Sequence, residues 1–171
     1  MNRVLILGCP GSGKSTFARQ LGALTGLPLV HLDNVYWRPD GTHLSRPAFD
    51  EALLRLLRED RWILDGNYSR TYEVRIRACD TVFFLDYDTE VCLAGVAQRV
   101  GRPRPDMPWT EERPDPELID LIRRYPEEER PRLLAILARY PQKSLIRFET
   151  RGQAQAWLES NFPKEEPPWK R

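Results

Sequence analysis

Five short apolar, β-rich runs recur along the chain: Arg3-Val4-Leu5-Ile6-Leu7, Leu29-Val30-His31-Leu32, Trp62-Ile63-Leu64, Thr81-Val82-Phe83-Phe84-Leu85 and Ser144-Leu145-Ile146-Arg147-Phe148. The first and fourth are hydrophobic almost throughout, the pattern of strands covered on both faces. Between the runs the spacing becomes helical. Thr16 to Leu24 places Phe17, Ala18, Leu21 and Leu24 on one face, and Thr89 to Val100 carries Val91, Leu93, Ala94, Val96 and Ala97. Pro47 to Glu59, with Ser45 as a candidate cap, sets Phe49, Ala52, Leu53, Leu56 and Leu57 along one stripe. Leu133 to Tyr140 and Gln153 to Asn161 read as two further helices. Strands alternating with helices predict an α/β fold with a parallel sheet.

Two stretches break this pattern. Residues 101–116, GRPRPDMPWTEERPDP, hold five prolines, too many for a regular element. A loop of that length inside a compact domain is expected to be a functional lid or disordered. The tail from 163 to 171, PKEEPPWKR, is expected to be flexible, leaving one domain over residues 1–162.

Composition narrows the class. A chain of 171 residues with 41% hydrophobic and 30% charged residues can bury its own core without metal or disulfide support. The net charge is +1, from 26 basic and 25 acidic residues, so no global field recommends DNA or an anionic membrane. No apolar run approaches the roughly 20 residues of a membrane span, and the N-terminus lacks the apolar segment of a signal peptide. The three cysteines, Cys9, Cys79 and Cys92, show no metal-binding spacing and read as reduced thiols. A cytoplasmic protein is the expectation.

The chemistry is concentrated where the first strand ends. Gly8-Cys9-Pro10-Gly11-Ser12-Gly13-Lys14-Ser15 fits G-x-x-x-x-G-K-[ST], followed by Thr16. Such a loop turns backbone N–H groups onto the β-phosphate of a nucleotide, and the next helix points its positive end at the same anion. Lys14 reaches the β- and γ-phosphates and the Ser15 hydroxyl ligands Mg²⁺. Strand before and helix after supply the context the motif requires. Cys9, inside the loop, reads as a small filling side chain rather than a nucleophile.

A P-loop identifies a nucleotide, not its use. Trp62-Ile63-Leu64-Asp65-Gly66-Asn67-Tyr68-Ser69-Arg70-Thr71 is a strand ending in an acid, then glycine, then arginine. A carboxylate at that strand end is placed for a water-mediated Mg²⁺ contact, Gly66 allows close approach, and Arg70 can grip an anion bidentately.

These residues resemble the adenylate kinase-like proteins of the nucleoside monophosphate kinase superfamily. The run LDG-x-x-x-R-T is similar to their LDG-x-P-R-T segment, with one extra residue. A closer resemblance is to the DNA topology modulation proteins, which share the glycine loop, HLDxxYW, WxxDGNY and a D-x-x-x-FLDY strand. All four stand here in order, at 8–16, 31–37, 62–68 and 80–87. The resemblance implies a five-stranded parallel sheet in the order 2-3-1-4-5, helices on both faces, an ATP site with Mg²⁺, and an adjoining phosphoryl-acceptor site. In place of the family's AMP-holding segment stands HLDNVYWRPDG. Asp33 falls where shikimate and gluconate kinase-like enzymes put a carboxylate that meets an alcohol. The acceptor is then a nucleoside monophosphate or similar small metabolite, or a small alcohol; the first needs charge neutralisation and the second a base.

The candidate acceptor residues are Asp33, Tyr36, Trp37 and Arg38 from one segment and Gly66, Asn67, Tyr68 and Arg70 from the other. The aromatics can sandwich a ring or simply pack a helix onto the sheet. His31 reads as a satisfied strand residue. Arg99 and Arg102 resemble lid arginines that close over ATP and neutralise the transferring phosphoryl group. The loop Glu149-Thr150-Arg151-Gly152 falls where related kinases cradle adenine. Lys14, Asp65, Asp33, Arg99 and Arg102 are thus the candidate catalytic set, with Ser15 and Asp65 on the metal. A nucleotide-binding regulator associated with DNA topology is the rival from another class. Near-neutral charge and the lack of a basic stripe argue against direct nucleic-acid binding.

Overall fold

A computed structural model describes residues 1–163; the expected flexible tail lies almost wholly outside the described residues. Five strands form one parallel sheet in the order β2-β3-β1-β4-β5. They are β1 (Arg3–Gly8), β2 (Leu29–His31), β3 (Trp62–Asp65), β4 (Thr81–Leu85) and β5 (Ser144–Phe148). β1 lies in the centre, with Leu5 in register with Leu64 of β3 and Val82 of β4. The near-continuous hydrophobicity of β1 follows from its two covered faces. Val4 and Ile6 join a core with Phe17, Leu21, Phe83 and Phe148, while Leu5 and Leu7 join another with Phe49, Leu53, Trp62 and Phe84.

Eight helices surround the sheet among the described residues: α1 (Lys14–Thr25), α2 (Leu32–Tyr36), α3 (Arg46–Leu57), α4 (Tyr72–Ala78), α5 (Thr89–Ala97), α6 (Pro116–Arg124), α7 (Glu129–Leu137) and α8 (Arg151–Asn161). A 3₁₀ turn, Ser69–Thr71, precedes α4. Ser45 caps α3 as expected, its hydroxyl accepting from the Ala48 N–H at 3.4 Å.

Three helices, α2, α4 and α6, stand where the sequence reading assigned none. The first two have five and seven residues, too few to show a period. α6 begins inside the proline-rich segment. Pro116 takes the first turn, where its missing N–H costs nothing, and the Asp115 carboxylate accepts from the Glu117 N–H at 2.9 Å. The irregular segment therefore ends at 115. α5 stops at Ala97 rather than Val100, so Arg99 follows the helix instead of closing it. α7 starts at Glu129, four residues before the expected Leu133, because Pro131 is tolerated in a first turn.

Candidate active site

The C-terminal ends of β1, β2 and β3 and the start of α1 open into one cavity of about 910 Å³, roofed by residues 104–116. Its floor is the glycine loop. Gly13 has φ 94° with open space around its α-carbon, so the left-handed turn itself demands glycine. At Gly11 the demand is close approach. A Cβ there would stand 2.1 Å from the Cys92 carbonyl oxygen, and one on Gly95 would stand 2.1 Å from the Gly11 carbonyl. α5 thus packs backbone to backbone against the loop and braces it.

Lys14 bends over this loop and its Nζ donates to the Cys9 carbonyl at 2.8 Å. Burial pushes its pKa down, opposed chiefly by the Asp65 carboxylate. The Ser12 hydroxyl is buried with no partner among the described residues. Cys9 is buried as well, and hydrogen bonding to Cys92 together with burial pushes its thiol pKa up, which fits a filling residue.

Two carboxylates face Lys14 from adjacent strand ends. Asp65 is 3% exposed; His31 Nδ1 lies 2.9 Å from its Oδ2, while Oδ1 has no partner. A carboxylate only accepts, so the imidazole presents N–H on Nδ1. His31, read from sequence as a strand residue, orients Asp65. Asp33, in the first turn of α2, accepts from the Tyr68 hydroxyl at 2.7 Å. Burial raises its pKa above the ordinary carboxylate range; the Tyr68 hydrogen bond lowers it and Asp65 adds to the rise. The orphaned Asp65 oxygen, the Ser15 hydroxyl and the N–H-lined loop suit a hydrated Mg²⁺ held between protein and phosphate.

Tyr68 is the one non-glycine residue with positive φ among the described residues, at φ 39° and ψ 61°. Arg75 holds that turn in place. Fully buried, it donates Nη1 to the Gly66 carbonyl at 2.7 Å and Nη2 to the carbonyls of Asn67 and Tyr68. Its guanidinium also sits 5.3 Å from the centre of the Tyr72 ring, and burial pushes its pKa down to about 10. No sequence reading had marked Arg75.

The cavity collects many of the candidate residues. Pro10, Gly11, Gly13, Lys14, Ser15 and Thr16 line it from the loop and α1. Asp33, Tyr36 and Trp37 line it from α2 and its end, and Asp65, Gly66, Asn67 and Tyr68 from β3 onward. Arg99 also reaches it. Ser12 and Arg102 lie instead on a second cavity of about 560 Å³, which shares Gly11, Gly13, Thr16, Arg19, Arg99 and Arg104 with the first. Arg151 of the loop after β5 lines this second space. Gly8 sits beneath the loop against Leu85, and Arg38 lies in an exposed turn closed by hydrogen bonding to Thr42.

Arg70 requires a correction. It lines neither cavity and forms a two-pronged pair with Asp50 of α3, at 2.9 and 2.6 Å. The left-handed turn at Tyr68 sends the following 3₁₀ segment outward and takes Arg70 with it.

Arg99, a candidate from the sequence, meets in the irregular segment an acidic partner that the sequence does not distinguish. Arg99 Nε stands 2.8 Å from Glu111 Oε2, and Arg104 pairs with Asp106 at 3.1 Å and Glu111 at 3.5 Å. Asp106 is 4% exposed and also faces Arg19 at 3.6 Å. Asn34 donates to the Pro105 carbonyl at 2.7 Å, and Trp109 meets Trp37 edge to face at 5.3 Å. The segment is thus anchored to α1, α2 and Trp37. Of the residues the sequence does not single out, Arg19 carries a readable signal, one helical turn beyond Ser15 on α1.

No protein-family model matches the chain, and no curated protein matches it. Solved structures do. Shikimate kinase from Bacteroides thetaiotaomicron aligns over 94% of this chain and 96% of its own, with TM-score 0.62 and 18% identity. Shikimate kinase from Acinetobacter baumannii in complex with shikimate aligns over 96% and 97%, with TM-score 0.59 and 19% identity. An unliganded sugar kinase from Janibacter sp. HTCC2649 gives 94% and 92%, 0.55 and 20%. The chain has the fold of P-loop kinases. No helix among the described residues is long and apolar enough to cross a membrane.

Proposed function

We propose that the protein is an ATP- and Mg²⁺-dependent phosphotransferase that phosphorylates a hydroxyl of a small acceptor. The observation that carries this reading is the shared cavity: Lys14 of the glycine loop, Asp33 and Asp65 face one space beneath an arginine-bearing lid.

The residues divide the work by position. Loop N–H groups and Lys14 hold the phosphates, with Ser15 and Asp65 as the protein's contacts to the metal side. Mg²⁺ held there would neutralise the charge that develops on the phosphates. Asp33 takes the acceptor hydroxyl's proton as that oxygen bonds to the γ-phosphorus and the bond to ADP breaks. Tyr68 aims Asp33, and Arg75 holds Tyr68's turn. Arg99 and Arg104 lie within reach of the second cavity and exchange Glu111 and Asp106 for phosphate oxygens. Arg102 and Arg151 flank the side where the base of ATP rests. Closure of the lid excludes water, which would otherwise accept the phosphoryl group.

Two observations favour an alcohol over a nucleoside monophosphate. The arginines that follow Gly66 are committed elsewhere, Arg70 to Asp50 and Arg75 to backbone carbonyls, so neither offers its guanidinium to an acceptor phosphate. A half-buried carboxylate with raised pKa suits a base, which an anionic acceptor does not need. Neighbours named for shikimate and sugar are consistent with this choice. The test is ADP release across hydroxylated metabolites and nucleoside monophosphates, wild type against Lys14→Ala. Turnover confined to nucleoside monophosphates would overturn the alcohol reading.

A further inference from the structure

The two cavities meet at Arg19, Arg99 and Arg104, which line both. The part belonging to the first cavity alone, beyond the glycine loop, is the acceptor side, and its charge is one-sided. Asp33, Asp106, Glu111, Glu112 and Asp115 line it, with Asp65 turned to the metal side. Against them stands Arg113, exposed on the lid. Lys14 belongs to the phosphates. In the nucleotide-loaded state Arg99 and Arg104 turn to phosphate oxygens, which leaves Glu111 facing the acceptor without its present partners and Asp106 with Arg19 alone.

The remaining walls are aromatic. Tyr36, Trp37, Tyr68 and Trp109 all line the first cavity and none lines the second. Trp37 and Trp109 meet at 5.3 Å with their planes at 85°, and Tyr36 lies 61° from Tyr68 at 5.3 Å. Perpendicular rings beside carboxylates offer π-faces and negative charge to the same guest. A phosphate or carboxylate placed there would face like charge, the repulsive element that rejects a wrong substrate.

We infer that the acceptor is a small hydroxylated organic cation, an amino alcohol whose ammonium lies between Trp37, Trp109 and the lid carboxylates while its hydroxyl reaches Asp33. This rests on the phosphotransferase reading above and names its substrate class. Binding then has an order. Nucleotide frees the lid carboxylates, and the cationic acceptor takes the place the arginines held, so each ligand favours the other.

The test is a trio of probes that differ mainly in charge: choline, its neutral carbon isostere 3,3-dimethylbutan-1-ol, and the anion 4-hydroxybutyrate. Each is titrated into the full chain with Mg²⁺ and a non-hydrolysable ATP analogue, after analogue binding has itself been measured. Choline should bind at least about tenfold more tightly than the isostere, and the anion most weakly. Trp109→Ala should bring choline and the isostere together, and Trp109→Phe should restore much of the gap. Equal or reversed order, or no saturable choline binding up to about 20 mM, overturns the inference while leaving phosphoryl transfer standing. Failure of the analogue to bind sinks the phosphotransferase reading itself.

Discussion

Glu111→Gln should make the protein bind ATP more tightly. In the structure the Glu111 carboxylate engages Arg99 and Arg104, 2.8 Å from Arg99 Nε and 3.5 Å from Arg104 Nη2. The side chains of Arg99 and Glu111 are only 19% and 18% exposed, so salt and water screen this pair less than a surface pair. Unit charges about 4 Å apart attract by about 4 kcal/mol at an effective dielectric near 20. Most of that is offset when the freed carboxylate is rehydrated, leaving a competition of about 1–2 kcal/mol against phosphate. Glutamine keeps the shape and removes the charge, so affinity should rise by roughly 5- to 30-fold. Calorimetric titration with a non-hydrolysable ATP analogue reads this directly. The same substitution in an Arg99→Ala background should gain much less, because the competition has lost its main partner. Unchanged or weaker binding by Glu111→Gln would show that these arginines do not serve the nucleotide.

Further outcomes follow from the neighbouring groups. Asp33→Asn should lower kcat by about 10²- to 10⁴-fold in an acceptor-dependent ADP assay, while ATP affinity changes little. The fold raises the Asp33 pKa, so its ionisation costs stability that grows as pH rises through the unfolded and then the folded value. Asp33→Asn should therefore raise Tm at neutral pH and lose that gain in acid, as thermal melts across pH will report. Tyr68→Phe removes a hydrogen bond to the ionised form, so the acid limb of the kcat/KM profile should move to higher pH. Arg75→Met leaves buried carbonyls unpaired and should destabilise by roughly 3–5 kcal/mol in denaturant titrations. Arg70→Ala, by contrast, should alter kcat and KM less than about threefold, because its pair with Asp50 is an exposed one.

The parts of the site written contiguously in the chain were legible in advance. Gly8 to Thr16 carries its own geometry, and the five strands lie within a residue of their expected places, the inner three because doubly covered strands are hydrophobic throughout. Arg70 and Arg75 show where legibility ends. Both follow Gly66 on a polar stretch, and only the left-handed turn at Tyr68 decides that one faces Asp50 and the other the carbonyls. No spacing rule encodes that turn. The lid behaved alike. Its prolines marked a special segment, but a segment without period gives no hint that Glu111 reaches back twelve residues to Arg99. Asp106 lies among those prolines with nothing in the sequence to mark its burial. His31 was read as a strand residue, and its contact with Asp65 comes from the register of β2 beside β3.

The fate of the γ-phosphate decides between transfer and hydrolysis. Phosphorus NMR of ATP turnover with hydroxylated acceptors should show a new phosphomonoester signal matched by ADP, absent with Lys14→Ala. Release of inorganic phosphate alone with every acceptor, or equal ATP affinity in wild type and Lys14→Ala, would contradict the phosphotransferase reading.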